Sequence, residues 1–186
     1  MTIVYHFQTN TIHRDKDHPG MVMHVVTMAP GDRLTLGGRF LFVENTSINH
    51  SMEGRYTCCV FHNVKFRMGC VGARFYGCRF LNCDFYEGDI LLDAKFDGCE
   101  FINSECRKLP IKKDPLCISG MRWPVVITDS IIRIGCQTHT HEEWERFTSE
   151  EISDMDNEAV EFWDKHKLSI LNLARNHKTA FEGKVA

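Results

Sequence analysis

The chain has 186 residues, 43 % of them hydrophobic and 25 % charged, a balance that suits a globular protein and excludes a disordered or collagen-like one. Its formal charge of −3 argues against wholesale nucleic-acid binding, although a local basic patch is compatible with it. With no long apolar run and no charged-then-apolar leader, neither membrane association nor export is expected, and the location read from the sequence is cytoplasmic.

Nine cysteines are an odd number, and no two of them are spaced C-x-x-C. A disulfide framework, a zinc ribbon and a thioredoxin-like motif are all disfavoured on that ground. Residues 1–31 carry two β-like runs, TIVYHF and MVMHVVTM, separated by the polar stretch QTNTIHRDKDHPG. They are read as an N-terminal β cap. The following LTLGGRFLFVENTSINH sets Leu34, Leu36, Phe40 and Phe42 at inward-looking spacing, as an irregular first coil would.

From residue 54 the chain repeats every five residues. Tyr56, Phe61, Phe66, Val71, Phe75, Phe80, Phe85, Ile90, Phe96, Phe101 and Cys106 take the large position, with one residue lost after Val71 and one gained after Ile90. Two residues before each stands a smaller one: Gly54, Cys59, Val64, Gly69, Ala73, Cys78, Cys83, Gly88, Ala94, Cys99 and Ser104. Neither the 3.6-residue period of a helix nor the two-residue period of a long strand explains this pattern.

The tract 54–106 resembles the pentapeptide-repeat proteins, whose unit is a small residue, a polar one, Leu or Phe, then two variable ones. The resemblance implies a right-handed, four-sided β-helix with one unit per side. Physical expectation agrees: equivalent residues of successive coils stack at the inter-strand distance, about 4.8 Å, and one coil alone cannot bury its core. The cysteines at small positions (Cys59, Cys78, Cys83, Cys99) then serve as compact hydrophobes. The β-helix is expected to span 32–106, with about two and a half regular coils.

Assigning sides places Tyr56, Phe75 and Phe96 on one, Phe61, Phe80 and Phe101 on the next, and Phe66, Phe85 and Cys106 on a third. The residue before each large one points outward, so Arg55, Arg74 and Lys95 stack into a cationic column suited to an anionic partner. On the third side Arg67, Tyr86 and Arg107 follow the large residues and invite cation–π contacts. On the second side Leu81 and Ile102 form a small apolar strip. The acidic segment 141–177, with ten acidic and four basic residues, competes as an internal ligand for the cationic column.

Residues 107–123, RKLPIKKDPLCISGMRW, read as a basic connector containing prolines, and 124–186 as a hairpin followed by helices. VVITDSIIRIGC predicts a hairpin turning at Asp129-Ser130, and Thr148 with Glu151 predicts a capping box at a helix start. Ile152, Met155, Ala159, Phe162, Trp163, Ile170 and Leu173 then form an apolar stripe expected to dock on the hairpin or on the coil end. The segment 123–177 also resembles uncharacterised bacteriophage and prophage proteins through Arg133-Ile134-Gly135-Cys136-Gln137, His139, Thr140 and Trp144. That resemblance implies a phage origin and no particular chemistry.

GCQTHTHEEW is the one stretch with reactive residue types close together. If it forms a turn, Cys136, His139 and His141 could ligate a metal, with zinc the ion such a set would take. The competing reading is structural: a buried Cys136, histidines hydrogen-bonded to backbone, and Glu142 and Glu143 favouring a helix N-terminus.

The sequence therefore points to a mainly β protein acting as a non-enzymatic interaction module, with a protein partner expected, nucleic acid disfavoured and no cofactor required. Some pentapeptide-repeat proteins inhibit DNA gyrase by imitating duplex DNA. Here six basic and seven acidic residues in 54–106 lack the negative field this needs. The alternatives are a metal-binding protein or metal-dependent enzyme built on Cys136, His139 and His141, and an assembly protein that oligomerises through a β-helix end.

Overall fold

A computed structural model describes residues 12–14, 22–26, 28, 34, 37–67, 72–86 and 94–182, with side chains between residues 22 and 178. The chain divides into two compact units, residues 1–114 and 115–186. Among the described residues, no helix is long and apolar enough to cross a membrane.

The first unit is a β-solenoid. It opens with β1 (Ile12–Arg14) and β2 (Val22–Val26), paired antiparallel. Each later turn contributes three short strands. These are β3 (Gly37–Arg39), β4 (Leu41–Glu44) and β5 (Ser47–Ile48), then β6 (Arg55–Thr57), β7 (Val60–His62) and β8 (Lys65–Phe66). They continue as β9 (Arg74–Tyr76), β10 (Arg79–Leu81) and β11 (Asp84–Phe85), then β12 (Lys95–Asp97), β13 (Glu100–Ile102) and β14 (Ser104–Cys106). Equivalent strands stack in parallel into three sheets, β3-β6-β9-β12, β2-β4-β7-β10-β13 and β5-β8-β11-β14. Val71 and Ile90, assigned by their spacing to a fourth side, lie outside the described residues.

The side assignment holds in register. Tyr56 pairs with Phe75 and Phe75 with Phe96; Phe61 with Phe80 and Phe80 with Phe101; Phe66 with Phe85 and Phe85 with Cys106. Successive turns are 19 and 21 residues long at the first of these stacks, so the lost and gained residues cancel. Within each stack the rings lie nearly parallel: Phe61–Phe80 centroids are 5.2 Å apart, Phe80–Phe101 4.9 Å and Phe66–Phe85 4.7 Å. Between stacks they meet edge to face, as Phe75–Phe80 and Phe80–Phe85 do at 5.4 Å.

The small positions also stack. Four of them donate to the carbonyl of the large residue one turn earlier, Cys78 to Tyr56, Cys99 to Phe75, Cys83 to Phe61 and Ser104 to Phe80, and Cys59 donates to Gly38. Burial pushes the Cys83 thiol up to about 12. Cys78, flanked by Cys59 and Cys99 and also buried, is likewise raised. At one corner Asn45, Asn63, Asn82 and Asn103 adopt φ of 50–53°, a region Asn tolerates. Asn63 Nδ2 donates to Asn45 Oδ1 at 2.9 Å, and Asn82 Nδ2 to Asn63 Oδ1 at 3.2 Å.

The first turn departs from the expected register. Val43, not Phe42, pairs with Phe61 and faces inward. Neighbouring strand residues point to opposite faces, so Phe42 turns outward and is buried there with Met23 and Val60. Phe40 sits half-buried at a corner with φ 55°. Leu34 is buried as expected, and Leu36 lies outside the described residues. At the N-terminal end, TIVYHF lies outside the described residues, whereas the polar stretch 8–20 contributes β1, whose backbone pairs with β2.

Residues 107–123 do not form a free connector. Arg107 and Lys108, with φ of 52° and 63°, make a two-residue turn, and β15 (Leu109–Ile111) folds back antiparallel on β14. Both positive φ values match the type I′ turn that suits a hairpin's twist. Pro110 has no N–H to leave unpaired on this terminal strand, and Ile111 is buried. Asp114 accepts the Cys99 N–H at 3.1 Å, ending the unit.

The second unit contains a four-stranded antiparallel meander of β16 (Leu116–Ile118), β17 (Val125–Ile127), β18 (Ile131–Ile134) and β19 (Gln137–Thr140). The turn at Asp129-Ser130 is where the spacing placed it. Helices α1 (His141–Arg146), α2 (Ser149–Ser153) and α3 (Ala159–Glu182) follow. The Thr148/Glu151 capping box is present, and a second joins Thr140 to Glu143. Ile152, Phe162, Trp163 and Ile170 pack on Val125, Ile127, Ile132 and Ile134, so the hairpin receives the stripe. Leu173 is an exception: it is exposed, and Leu171 and Ala174 are buried in its place.

Two measurements test this core. Phe80 lies among Phe61, Phe75, Phe85, Phe96 and Phe101, so Phe80→Ala should cost about 3–5 kcal/mol in urea unfolding, whereas Ile102→Ala on the surface should cost under about 1 kcal/mol. The raised Cys83 pKa stabilises the fold below the thiol's ordinary value of about 9, and that contribution is lost as pH climbs from there toward about 12. Cys83→Val, which copies Val64 one turn earlier, should therefore leave the urea midpoint at pH 7 nearly unchanged and make its alkaline decline shallower.

Candidate functional site

The three parallel sheets present three outer surfaces that differ in how their charges are paired. On the β4-β7-β10-β13 sheet, Arg79 Nε lies 3.0 Å from Glu100 Oε2 of the next turn. On the β5-β8-β11-β14 sheet, Arg67 lies 3.6 Å from Asp84 and its guanidinium sits 4.8 Å over the Tyr86 ring. A cation of one turn thus meets an acid of the next on both.

The β3-β6-β9-β12 sheet does otherwise. Arg55 pairs in register with Arg74, and Arg74 with Lys95, so three exposed cations stand one above another. Among the described residues none of the three has an ion pair. Arg55 instead lies 4.3 Å over the Tyr76 ring. The parallel outward column on the same sheet runs Arg39, Thr57, Tyr76 and Asp97, adding another exposed cation and a single acid. Among the described strand residues this surface carries four cations and Asp97, held in place by strand register, with the Asp114 carboxylate near Asp97.

The other sequence-derived surface residues are only partly assembled. Arg67 and Tyr86 meet as expected, but Arg107 does not extend their column. It occupies the turn into β15, where the chain reverses instead of starting another rung. Leu81 and Ile102 are cross-strand partners. Ile102 is exposed, whereas Leu81 packs against the Met23–Phe42–Val60 cluster, which shortens the apolar strip.

Cys136, His139 and His141 do not converge. Gly135 and Cys136 form the two-residue turn between β18 and β19, with Gly135 at φ 56° and Cys136 exposed, not buried. From there the chain is extended and rises about 3.3 Å per residue, which carries His139 roughly 10 Å from the turn. His139 packs edge-on against Trp144 and Phe147, and its Nε2 lies 3.3 Å from Gln137 Oε1. His141 donates its Nε2–H to the Thr128 carbonyl at 3.1 Å. Among the described residues no group of three or more His, Cys, Asp or Glu side chains is arranged to hold a metal ion. The backbone-bonded histidine and the Glu143 capping carboxylate match the structural reading of this stretch.

Sequence reasoning passed over Arg39 and the asparagine ladder. The signal for both was present: Arg39 precedes Thr57 by 18 residues, and Asn45, Asn63, Asn82 and Asn103 recur at 18 to 21 residues. Both were hidden because the register was anchored on the large residues alone.

Desolvation lowers the His141 pKa, so the ring is neutral where it packs, and its stabilising contribution is present above about 6.5 and is lost as pH falls through the lowered value. His141→Gln should flatten the acid side of the second unit's stability profile, read by Trp fluorescence between pH 7 and pH 4.5. Comparison of the chain with protein-family models, with curated proteins and with solved structures finds no match.

Proposed function

We propose that the protein is a non-enzymatic interaction module that binds an acidic surface of a partner protein through the β3-β6-β9-β12 side of its solenoid. The observation that carries this reading is the unpaired, in-register stack of Arg55, Arg74 and Lys95 on a surface where the neighbouring sheets pair their cations with acids. Stacked like charges repel by about 1 kcal/mol per close pair even in water, and among the described residues no acid pairs with any of the three. An external anion would offset it. The rigid backbone adds to this, because a column held by strand pairing loses little backbone entropy on binding.

A protein partner suits the face better than a nucleic acid. Asp97 interrupts the cations after a short span, and the net charge of −3 opposes a long polyanion. The side chains here supply charge complementarity, which governs association rate and specificity more than raw affinity.

The test is capture on immobilised protein. Wild type should retain a specific partner that elutes as salt is raised, and an Arg74→Glu/Lys95→Glu variant with an unchanged thermal melt should lose it. Equal retention by both would remove the basic face from the function.

A further inference from the structure

The basic face is not uniform along its length. Gly37 precedes Arg55, Arg74 and Lys95 in their own column, so the column begins with a position that has no side chain. Gly38 follows at the inward position opposite Tyr56. Beside these strands lies a recess of about 530 Å³, lined among the described residues by Gly37, Gly38, Arg39, Arg55 and Thr57.

Both positions are held to glycine by close packing of their neighbours. A Cβ on Gly37 would lie 2.2 Å from the Arg55 carbonyl oxygen, and φ there is +75°. A Cβ on Gly38 would lie 2.4 Å from Leu41 Cδ1, which already fills that part of the core. Neither position can take a side chain without moving its neighbours.

We propose that this recess receives an acidic side chain, Asp or Glu, of the partner protein. The inference rests on the reading of the basic face as a binding surface and names the place where binding is centred. Arg39 and Arg55 stand diagonally across the β3–β6 pair, with Thr57 directly opposite Arg39. Residues at such a diagonal are about 7–8 Å apart at their bases, a span one carboxylate bridges when two long guanidinium side chains reach toward it. The stacking of Arg55 on Tyr76 uses the face of its guanidinium and leaves the N–H edge to donate. The Thr57 hydroxyl supplies a further neutral donor beside them. Neither arginine has an acidic partner among the described residues.

The probe is a fluorescein-labelled hexaglutamate peptide, followed by anisotropy at low ionic strength, with hexaglutamine, inorganic phosphate and a 12-base-pair duplex DNA as comparisons. Wild type should bind hexaglutamate and not hexaglutamine. Arg39→Gln should weaken that binding about tenfold, as loss of one charge-assisted contact does, with an unchanged melt because Arg39 is exposed. Arg67→Gln, on another sheet, should leave it unaltered. If Arg39→Gln binds like wild type while Arg74→Glu/Lys95→Glu does not bind, the recess is overturned and the basic face stands. If wild type fails to bind hexaglutamate, the recess proposal is overturned outright. It is equally overturned if duplex DNA shows the Arg39 dependence in place of the peptide, or if inorganic phosphate binds as tightly as the peptide.

Discussion

Parallel pairing of each strand with the strand one turn later is the constraint on which the first unit depends. Once the backbone is paired in this way, chemically equivalent positions have no choice but to stack. Aromatic rings fall on aromatic rings, cysteines on cysteines, asparagines on asparagines and cations on cations. The first three stacks stabilise the fold through ring packing, buried thiol–carbonyl contacts and side-chain amide bonds. The cationic stack does not. It is imposed by the same register that makes the core, and the repulsion of like charges so stacked opposes folding.

A solenoid built on this pairing has a difficulty at each end, where backbone groups lose their partners. Here the chain deals with both ends by adding strands rather than by adding core. At the start β2 continues the β4 sheet in parallel and β1 turns back along it. At the finish the Arg107–Lys108 turn sends β15 back along β14, and the Asp114 carboxylate takes the Cys99 N–H. Open stacking through this coil end meets a reversed strand on one sheet and a carboxylate on another, while β13 is the outer strand of the third.

The second unit shows how a suggestive cluster of residue types can serve structure instead. Thr140 and Glu143 cap α1, His141 satisfies a carbonyl, and Trp144 donates its indole N–H to the Ile132 carbonyl at 2.7 Å while filling the core. His139 is enclosed by Trp144 and Phe147. Each polar group of the stretch has local structural work, and the exposed Cys136 remains apart from the imidazoles because an extended strand separates them.

The five-residue repeat alone determined the solenoid, its three described stacks and the identity of the residues inside them, because a fixed period leaves one register in which large residues meet large ones. It also placed Arg55, Arg74 and Lys95 together, since outward neighbours inherit the register of the core. The Asp129-Ser130 hairpin and the Thr148 cap were legible for a similar reason, being set by local turn and capping chemistry. What only the tertiary structure decided lies where no repeat operates. In the first turn Val43 displaced Phe42 from the interior, since pairing with β7 overrides the pattern of apolar residues. Arg107 became a turn because the next rung was missing, and within α3 Leu171 is buried where the stripe had placed Leu173. The recess at Gly37 and Gly38 belongs to the same class: only strand pairing brings these glycines beside both Arg39 and Arg55.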